Sequence, residues 1–338
     1  MDFIGLDIGS ITTKAVWLRQ TGKDKYRLQG ATMFGTPPGG MNIDSEQGYL
    51  VMAENLKKGL KEANLHVKNV VASLPESEVY TRIVTMPQMP RSELESAINW
   101  EAEQNIPLPI SEVNFSYTLV DKKADNSMEV MIVAAPKKLV EKYQQILNMA
   151  DLNPVGIETQ LIAASRALFL QETLGPTMLM IMGARMCEIA IVKGMNLVFT
   201  RSIATAGEAL SRSLTTSLQL EVNQAESYKR TYGLLEDQLE GKVAAALRPV
   251  LDVIIREAKR TVNFYETKES GLKIKTTVLA GGTAGLPGLV QLMASGLNIE
   301  VQVGNSLSKI SGQDKRGEIP SELLPQYTVA LGLGMKEV

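Results

Sequence analysis

The stretch "IGLDIGSITTKAVWL" (residues 4–18) places one carboxylate, Asp7, in the middle of an apolar run that should form a buried strand. Gly9 and Ser10 follow and predict a tight turn into a second strand. Such a turn leaves backbone N–H groups free, and nearby hydroxyls add donors for phosphate oxygens. An acid at the end of the first strand can hold Mg²⁺ through water. The predicted phosphate site comprises Asp7, as the metal contact, with Gly9, Ser10, Thr12, Thr13 and Lys14.

Composition limits the classes of protein to which the chain can belong. Its 338 residues exceed one ordinary core, and 44% hydrophobic with 21% charged residues is typical of a globular protein. A net charge of −2 argues against a general nucleic-acid binder. One cysteine and one histidine exclude a disulfide framework and a metal site rich in these residues. Without a leader or an apolar run of about 18 residues, the sequence predicts a cytoplasmic protein.

The order of apolar segments predicts an α/β chain. In the first part we expect strands at 3–8, 14–20 and 25–34, a helix at 46–63 and a buried strand at 67–74. In the second part we expect helices at 160–174, 205–219, 221–232, 240–268, 285–296 and 326–336, strands at 177–182, 187–194, 196–203, 273–282 and 299–303, and a loop at 304–325.

A separate block interrupts this pattern at residues 78–152. Its segments follow the order β-α-β-β-α, which indicates a compact unit of its own. Ser92 followed by Glu95 predicts a capping box at the start of the first helix.

The chain also contains an internal repeat. Adding 174 to the first stretch brings Gly9 onto Gly183, and both glycines lie in a strand–turn–strand–turn–strand segment. Duplicated lobes of this kind, facing each other, form a cleft between them.

Two later segments resemble parts of a nucleotide site. Gly281, Gly282 and Thr283 follow a strand and precede a helix, so a ribose or a base can approach the backbone closely there. Glu226 and Lys229 lie three residues apart on one helical face and suit the ribose and adenine edges. The alternatives remain open: an ordinary hairpin with a surface acid at Asp7, because short glycine motifs are weak signals, and a surface ion pair at Glu226 and Lys229. Glu257 and Arg260 offer a similar pair.

Several motifs resemble known families. "GLDIGSITTKAV", "LAGGTAGLPGL" and "YTVALGLGMK" are similar to the first phosphate loop, the adenosine loop and the last connecting helix of actin-like ATPases. "SLPESEVYTRIVTMP", "INWEAEQNIPLPISEVNFSY" and "IETQLIAASRAL" resemble the PilM family of type IV pilus assembly proteins, relatives of the cell-division protein FtsA. The resemblance covers nearly the whole chain.

The resemblance implies an α/β fold of the actin-like class, with ribonuclease H-like duplicated lobes and an inserted small β-α-β-β-α subdomain. The predicted parts are the start of the first lobe (1–77), the small subdomain (78–152), a return to the first lobe (153–172), the second lobe (173–325) and a C-terminal helix on the first lobe (326–338). It also implies ATP and Mg²⁺ as ligands. The full predicted nucleotide set adds Gly183, Arg185, Gly207, Glu226, Lys229, Gly281, Gly282 and Thr283 to the first turn.

The second turn departs from the superfamily pattern of Asp-x-Gly followed by Thr. In "LMIMGARMCEIAIV" (179–192), Ile181 stands where the acid belongs and Cys187 where the hydroxyl belongs. Loss of a group that positions metal and water slows phosphate cleavage by orders of magnitude. We therefore expect nucleotide binding with slow or absent hydrolysis, and a Cys187 that is a small buried hydrophobic residue.

The family resemblance also implies a partner. PilM proteins bind the cytoplasmic N-terminal peptide of the inner-membrane protein PilN in a groove beside the small subdomain. The predicted contacts are Arg82, Ile106, Pro107 and Leu108. The competing interpretation for Ile106, and for Trp100, is core packing under the subdomain sheet. Because the chain ends "GLGMKEV" without an amphipathic helix, we expect it to reach the inner membrane only through a partner. Other platform proteins, the assembly ATPase and a second copy are further expected partners, whereas nucleic acid is not.

Two other functions fit the same superfamily. A small-molecule kinase begins with a similar loop but needs a carboxylate base in the cleft. The third function is that of an FtsA-like filament former; the missing membrane helix argues against the division role of FtsA but not against polymerisation.

Overall fold

The computed structural model describes residues 1–123, 125–170, 175–269, 272–313 and 318–337. The strands in chain order are β1 (Ile4–Ile8), β2 (Thr12–Gly22), β3 (Lys25–Gly35), β4 (Asn69–Leu74), β5 (Tyr80–Pro87), β6 (Val113–Lys122), β7 (Ser127–Pro136), β8 (Asn153–Thr159), β9 (Pro176–Met182), β10 (Cys187–Lys193), β11 (Asn196–Ile203), β12 (Thr276–Ala280), β13 (Glu300–Val303) and β14 (Ile310–Gln313). The helices are α1 (Glu46–Glu62), α2 (Arg91–Asn105), α3 (Lys137–Met149), α4 (Gln160–Leu168), α5 (Gly207–Leu218), α6 (Val222–Tyr232), α7 (Lys242–Lys268), α8 (Leu289–Leu297) and α9 (Leu324–Gly334).

Two sheets repeat one topology. The first has the strand order β14-β3-β2-β1-β4-β8 and the second has the order β11-β10-β9-β12-β13. In each, the central strand pairs antiparallel with the next strand in sequence and parallel with a later one. We call these halves the first and second lobes. The repeat predicted from the glycine offset is therefore confirmed, and the fold is the predicted duplicated α/β class.

The register of the two hairpins matches residue for residue. Asp7 lies opposite Lys14 across β1 and β2, and Ile181 lies opposite Glu188 across β9 and β10. Cross-strand partners point to the same face of a sheet, so each hairpin presents its pair of side chains together near its turn.

Helix α9 packs closely on the first lobe because glycines remove side chains at the contact. A Cβ on Gly5 of β1 would lie 2.2 Å from the carbonyl oxygen of Ala330. A Cβ on Gly332 of α9 would lie 1.8 Å from the carbonyl oxygen of Ala163 in α4. Both distances are shorter than any contact a real Cβ makes, so only glycine fits at either position.

The third sheet has the order β5-β7-β6 and belongs to the small subdomain. Helix α2 covers one of its faces and buries Ile98, Ala102 and Ile106 against it. The subdomain also contacts the second lobe: the Lys193 ammonium lies 2.7 Å from an Asp121 carboxylate oxygen, and the side-chain amide of Asn196 donates to the carbonyl of Val120 at 3.2 Å.

Three expectations about elements are corrected. Helix α2 begins at Arg91, directly after Pro90, and no side chain caps it, so Ser92 lies inside the first turn and the capping box is wrong. The segment expected as a loop at 304–325 contains β14, which pairs with β3 of the first lobe. Helix α4 ends at Leu168 because Phe169 adopts an extended backbone. The rest of the helix predicted to 174, and the predicted boundary at 172, lie partly outside the described residues.

The other domain boundaries stay predictions. Within the described ranges, no helix combines the length and apolar character needed to cross a membrane.

Candidate functional site

Asp7 lies at the end of β1 with its side chain held by two other segments. It is 4% exposed, and its Oδ1 accepts hydrogen bonds from the Ser73 hydroxyl at 2.8 Å and from the Gln160 side-chain amide at 3.1 Å. The Lys14 ammonium lies 4.0 Å from Oδ2. Among the described residues, no hydrogen bond reaches Oδ2 itself. The carboxylate is therefore fixed in orientation while one oxygen keeps its acceptor capacity.

The first turn is tight, as predicted, but the N–H of Gly9 is not free. The Gly9 N–H donates to the Thr12 carbonyl at 3.2 Å, and a Cβ on Gly9 would lie 2.7 Å from that oxygen. The Lys14 ammonium folds back over the turn and donates to the same carbonyl at 3.3 Å. Ser10 and Thr12 are partly exposed beside the turn.

Thr13 is the exception in this turn. Its side chain is completely buried and shares a 2.9 Å hydrogen bond with the Thr36 hydroxyl. The prediction that Thr13 donates to a phosphate is therefore wrong. Because side chains alternate along a strand, Thr13 points to the opposite face from its neighbours.

The second turn repeats the first. The Gly183 N–H donates to the Met186 carbonyl at 3.0 Å, which is the equivalent of the bond between Gly9 and Thr12. The Gly183 carbonyl in turn accepts from the Gly207 N–H and the Thr283 hydroxyl, both at 3.2 Å. Three segments far apart in sequence, all predicted as site residues, thus meet at one carbonyl oxygen.

The glycine loop after β12 lies against the second turn. Gly281 has φ +88°, and a Cβ there would lie 2.6 Å from the Met182 carbonyl oxygen. Its N–H donates to the Pro325 carbonyl at 2.7 Å, which connects the loop to the start of α9. The adjacent Gly282 is exposed, so the loop offers an open backbone edge beside the turn.

Glu226 and Lys229 on α6 join the same group. The Lys229 ammonium donates to the Gly207 carbonyl at 3.1 Å, to the Ser211 hydroxyl at 2.8 Å and to Glu226 at 2.6 Å. Burial raises the pKa of Glu226, but hydrogen bonds from Lys229 and Ser211 and the Lys229 charge outweigh it and lower that pKa to about 2. This pair is therefore part of the second-lobe site and not a simple surface ion pair.

Two other charged residues form ion pairs of their own. Arg185 is exposed, and its Nε donates to Glu208 at 3.1 Å beside the N-terminus of α5. Glu257 on α7 pairs with Arg260 at 2.7 Å and with Arg201, which makes it a structural ion-pair group.

The positions that depart from the superfamily pattern are buried. Ile181 is 6% exposed and packs between the lobes. Cys187 is completely buried in the core of the second lobe, which raises the pKa of its thiol far above the ordinary range and confirms the prediction of a buried hydrophobic residue. Burial likewise raises the pKa of Glu188 to about 7. The hydrogen bond from the Ser202 hydroxyl lowers this pKa, whereas the nearby charge of Glu76 raises it further.

The predicted peptide contacts of the small subdomain are only partly surface groups. Ile106 is 6% exposed and packs in the subdomain core, so its predicted role as an exposed wall is wrong. Pro107 and Arg82 are exposed and Leu108 is half-buried. The competing interpretation, that Trp100 packs in the core under the subdomain sheet, is also wrong, because its side chain is 60% exposed on the outer face of α2.

A groove of about 490 Å³ lies beside α1 and α3. It is lined by Asp44, Tyr49, Glu78, Pro136, Lys138, Leu139, Glu141, Lys142 and Gln145. Its walls combine apolar groups with both signs of charge, and Lys142 lies 3.4 Å from Asp44 across it.

Sequence reasoning missed the residues that orient Asp7. Ser73 is the penultimate residue of β4, and Gln160 follows β8, the next strand of the same parallel set. Carboxyl ends of parallel strands meet at one edge of a sheet, so a polar residue at the end of each buried strand was the available signal. Glu76, which follows β4 and is 5% exposed, was missed for the same reason.

Comparison with solved structures identifies the class of fold. The ethanolamine utilization protein EutJ from Carboxydothermus hydrogenoformans matches with a TM-score of 0.61 at 15% identity, covering 98% of this chain and 88% of that one. MreB 5 of Spiroplasma citri, bound to AMPPNP, matches with a TM-score of 0.54 at 12% identity, covering 98% and 94%. At these identities the likeness shows the fold alone: the chain is an actin-like ATPase-fold protein.

Two further comparisons show the family. The model of the type IV pilus assembly protein PilM matches residues 5–338. A chain from a PilM-PilN type IV pilus biogenesis complex matches with a TM-score of 0.85 at 27% identity, covering 99% of this chain and 98% of that one. This chain belongs to the PilM family of type IV pilus assembly proteins.

Proposed function

We propose that this chain is a nucleotide-binding scaffold of the type IV pilus inner-membrane platform. It binds ATP with Mg²⁺ between its lobes and captures the N-terminal segment of a PilN-type membrane protein from the cytoplasmic side. The observation that carries the proposal is the duplicated hairpin, in which Gly9 and Gly183 form the same turn and Asp7 lies fixed beside the first.

The residues fit a hydrated Mg²⁺ and a triphosphate. Oxygen ligands that act through water suit Mg²⁺, and Oδ2 of Asp7 accepts no hydrogen bond from the described residues while Oδ1 is held by Ser73 and Gln160. When bound, the metal would neutralise phosphate charge. Lys14 and the Gly9 turn suit the phosphates, the N-terminus of α5 at Gly207 favours negative charge, and Glu226 with the Gly282 edge suits the nucleoside.

Hydrolysis by this site should be slow. Ile181 replaces the acid of the second turn with an apolar side chain, and Glu188 on the next strand is bonded to Ser202. Because the second turn lacks the acid that would hold the metal and the attacking water, ATP should act as a bound ligand and should not be turned over rapidly.

The groove between α1 and α3 suits the partner segment. Its lining combines the apolar surfaces of Tyr49 and Pro136 with charges of both signs, which gives an extended peptide both apolar and ionic contacts. The complex that matches this chain contains PilN, which supports a PilN-type partner. Arg82, Pro107 and Leu108 remain proposed as additional contacts outside the groove.

Isothermal titration calorimetry with ATP and Mg²⁺ tests the nucleotide site. Asp7→Ala removes the metal contact and Lys14→Ala removes the cation over the turn, so each variant should bind ATP at least about tenfold more weakly, a loss of about 1.4 kcal/mol. Lys57→Ala, an exposed lysine of α1, is the matched control and should bind as the wild type does. Equal affinity in the wild type and both site variants would contradict this assignment of the first turn.

A further inference from the structure

The outer face of α2 presents an exposed indole ring among carboxylates. With about 100° of rotation per residue, Trp100 lies opposite Ile98 and Ala102, which are completely buried, and its side chain is 60% exposed. Tryptophan is among the most buried residues on average. An exposed Trp on an otherwise polar helix therefore marks a contact surface.

The charge of this face is uniformly negative. Glu93 and Glu103 are exposed on α2 and lie within about 60° of Trp100 around the helix, and the sequence of the helix contains a single cation, Arg91. Within the described parts of the chain, neither of these two carboxylates has a cationic partner. We call Trp100 with these carboxylates the acidic face.

A groove of opposite charge lies on the second lobe. Arg248, Arg256 and Lys259 of α7 line it, and Ile255 of α7 with Leu292 and Gly296 of α8 form its apolar floor. Arg248 lies 3.6 Å from Asp252, whereas Arg256 and Lys259 have no carboxylate partner among the described residues. Its volume is about 340 Å³, enough to accept an aromatic side chain. We call it the basic groove.

We propose that the acidic face of one copy docks into the basic groove of a second copy. The Trp100 ring would lie against the apolar floor formed by Ile255, Leu292 and Gly296, with the guanidinium of Arg256 or Arg248 against the ring. Glu93 and Glu103 would then pair with the cations of the rim. Unpaired charges of opposite sign on two surfaces steer association between them.

The two surfaces lie on different lobes and are not the same patch. A contact between unlike surfaces is heterologous, so each copy keeps one free end and the assembly grows into a chain or closes into a ring. A basic segment of another protein would suit the acidic face, but it would leave the unpaired cations and the apolar floor of the groove without an occupant. A second copy accounts for both surfaces.

Sedimentation velocity over a concentration series tests the proposal. The wild type should form species larger than a dimer as concentration rises. Trp100→Ala and Arg256→Glu should each weaken self-association at least about tenfold, as removal of an aromatic or arginine anchor does. Val222→Ser, which removes another exposed apolar side chain, and Lys57→Glu, which reverses an exposed charge on α1, should leave it unchanged. Thermal unfolding checks that each variant is folded.

Mixing the two variants gives the sharper test. Trp100→Ala retains the groove and Arg256→Glu retains the indole, so an equimolar mixture should form heterodimers and stop there, because the second contact is broken at both ends. Restored growth beyond dimers, or no association in the mixture, would overturn the proposal. So would a wild type that stays monomeric at every concentration reached, or variants that assemble as the wild type does.

Discussion

Glu188 distinguishes the chemistry of the second hairpin from that of the first. In the first hairpin the acid, Asp7, lies on the leading strand and faces a lysine; in the second, Ile181 takes the leading position and the acid has moved to the partner strand. Glu188 is 2% exposed near another buried carboxyl group, Glu76. Burial of two acids at the junction of the lobes disfavours the ionised form of each.

Replacement of Glu188 by Gln should stabilise the protein in a pH-dependent way. The folded pKa, about 7, lies above the ordinary value of 4.5. Below about pH 4.5 both states keep the proton and no penalty exists. As the pH rises to about 7 the unfolded chain ionises first, so the wild type loses stability and Glu188→Gln does not. At about 1.4 kcal/mol per pKa unit, the advantage of the variant should reach up to about 3 kcal/mol near pH 8.

Urea denaturation of wild type and Glu188→Gln at several pH values measures this difference. Ser96→Ala, at an exposed position of α2 that carries no titratable group, is the control and should give a difference that does not change with pH. A stability difference for Glu188→Gln that is also independent of pH would show that this carboxyl group titrates normally.

At the scale of residues, the sequence indicated which side chains belong to the candidate site but not which hydrogen bonds orient them. Asp7 stands out locally because a charge interrupts an apolar strand. Its partners Ser73 and Gln160 are 66 and 153 residues away in sequence, so nothing near Asp7 indicates them. The predicted phosphate contact of Thr13 is wrong because side chains alternate along a strand. The alternation turns the Thr13 hydroxyl toward Thr36 and away from the side of the turn where Ser10 and Thr12 lie.

At the scale of elements, the N-terminus of α5 joins the parts of the second-lobe site. A Cβ on Gly207 would lie 2.9 Å from the Thr283 hydroxyl and 3.2 Å from the Gly183 carbonyl oxygen. Gly207→Ala should therefore push the glycine loop away from the second turn and weaken ATP binding by about tenfold, or about 1.4 kcal/mol. Gly285→Ala is the matched control, because a Cβ there meets no atom within 4 Å.

Calorimetry of the two glycine variants measures the effect, and thermal unfolding separates it from a loss of fold. If Gly207→Ala binds ATP as tightly as Gly285→Ala does, then the contact among α5, the second turn and the glycine loop does not shape the site.

Long periodic elements were predictable, and short or capped ones were not. The three-strand hairpins of both lobes follow from alternation and from the glycine offset. Strand β14 has four residues, "ISGQ", which lack an apolar alternation, and only its pairing with β3 makes it a strand. The start of α2 was misplaced because Pro90, in an extended conformation, allows the helix to begin one residue before the expected cap.

At the scale of the whole molecule, the small subdomain contacts both lobes. Its first strand follows β4 of the first lobe, and its β6 is linked to the β10–β11 hairpin of the second lobe through Asp121 and Lys193. A ligand that changes the relation of the lobes therefore has a route to the groove between α1 and α3. The sequence did not indicate which surface of the subdomain is exposed. Helix α2 contains too few apolar residues to show a helical periodicity, so the burial of Ile106 and the exposure of Trp100 could not be predicted from it.

The most direct test of a nucleotide-gated scaffold is the affinity of the full chain for a labelled N-terminal peptide of its PilN-type partner, measured with and without ATP and Mg²⁺. The peptide should bind, and nucleotide should change its affinity by roughly fivefold to a hundredfold, a coupling of about 1–3 kcal/mol. Gln145→Trp fills the groove and should abolish binding, whereas Gln144→Trp, on the neighbouring exposed position, should not. A peptide that binds equally well with and without nucleotide, or that binds Gln145→Trp as tightly as the wild type, would contradict capture in this groove under the control of ATP.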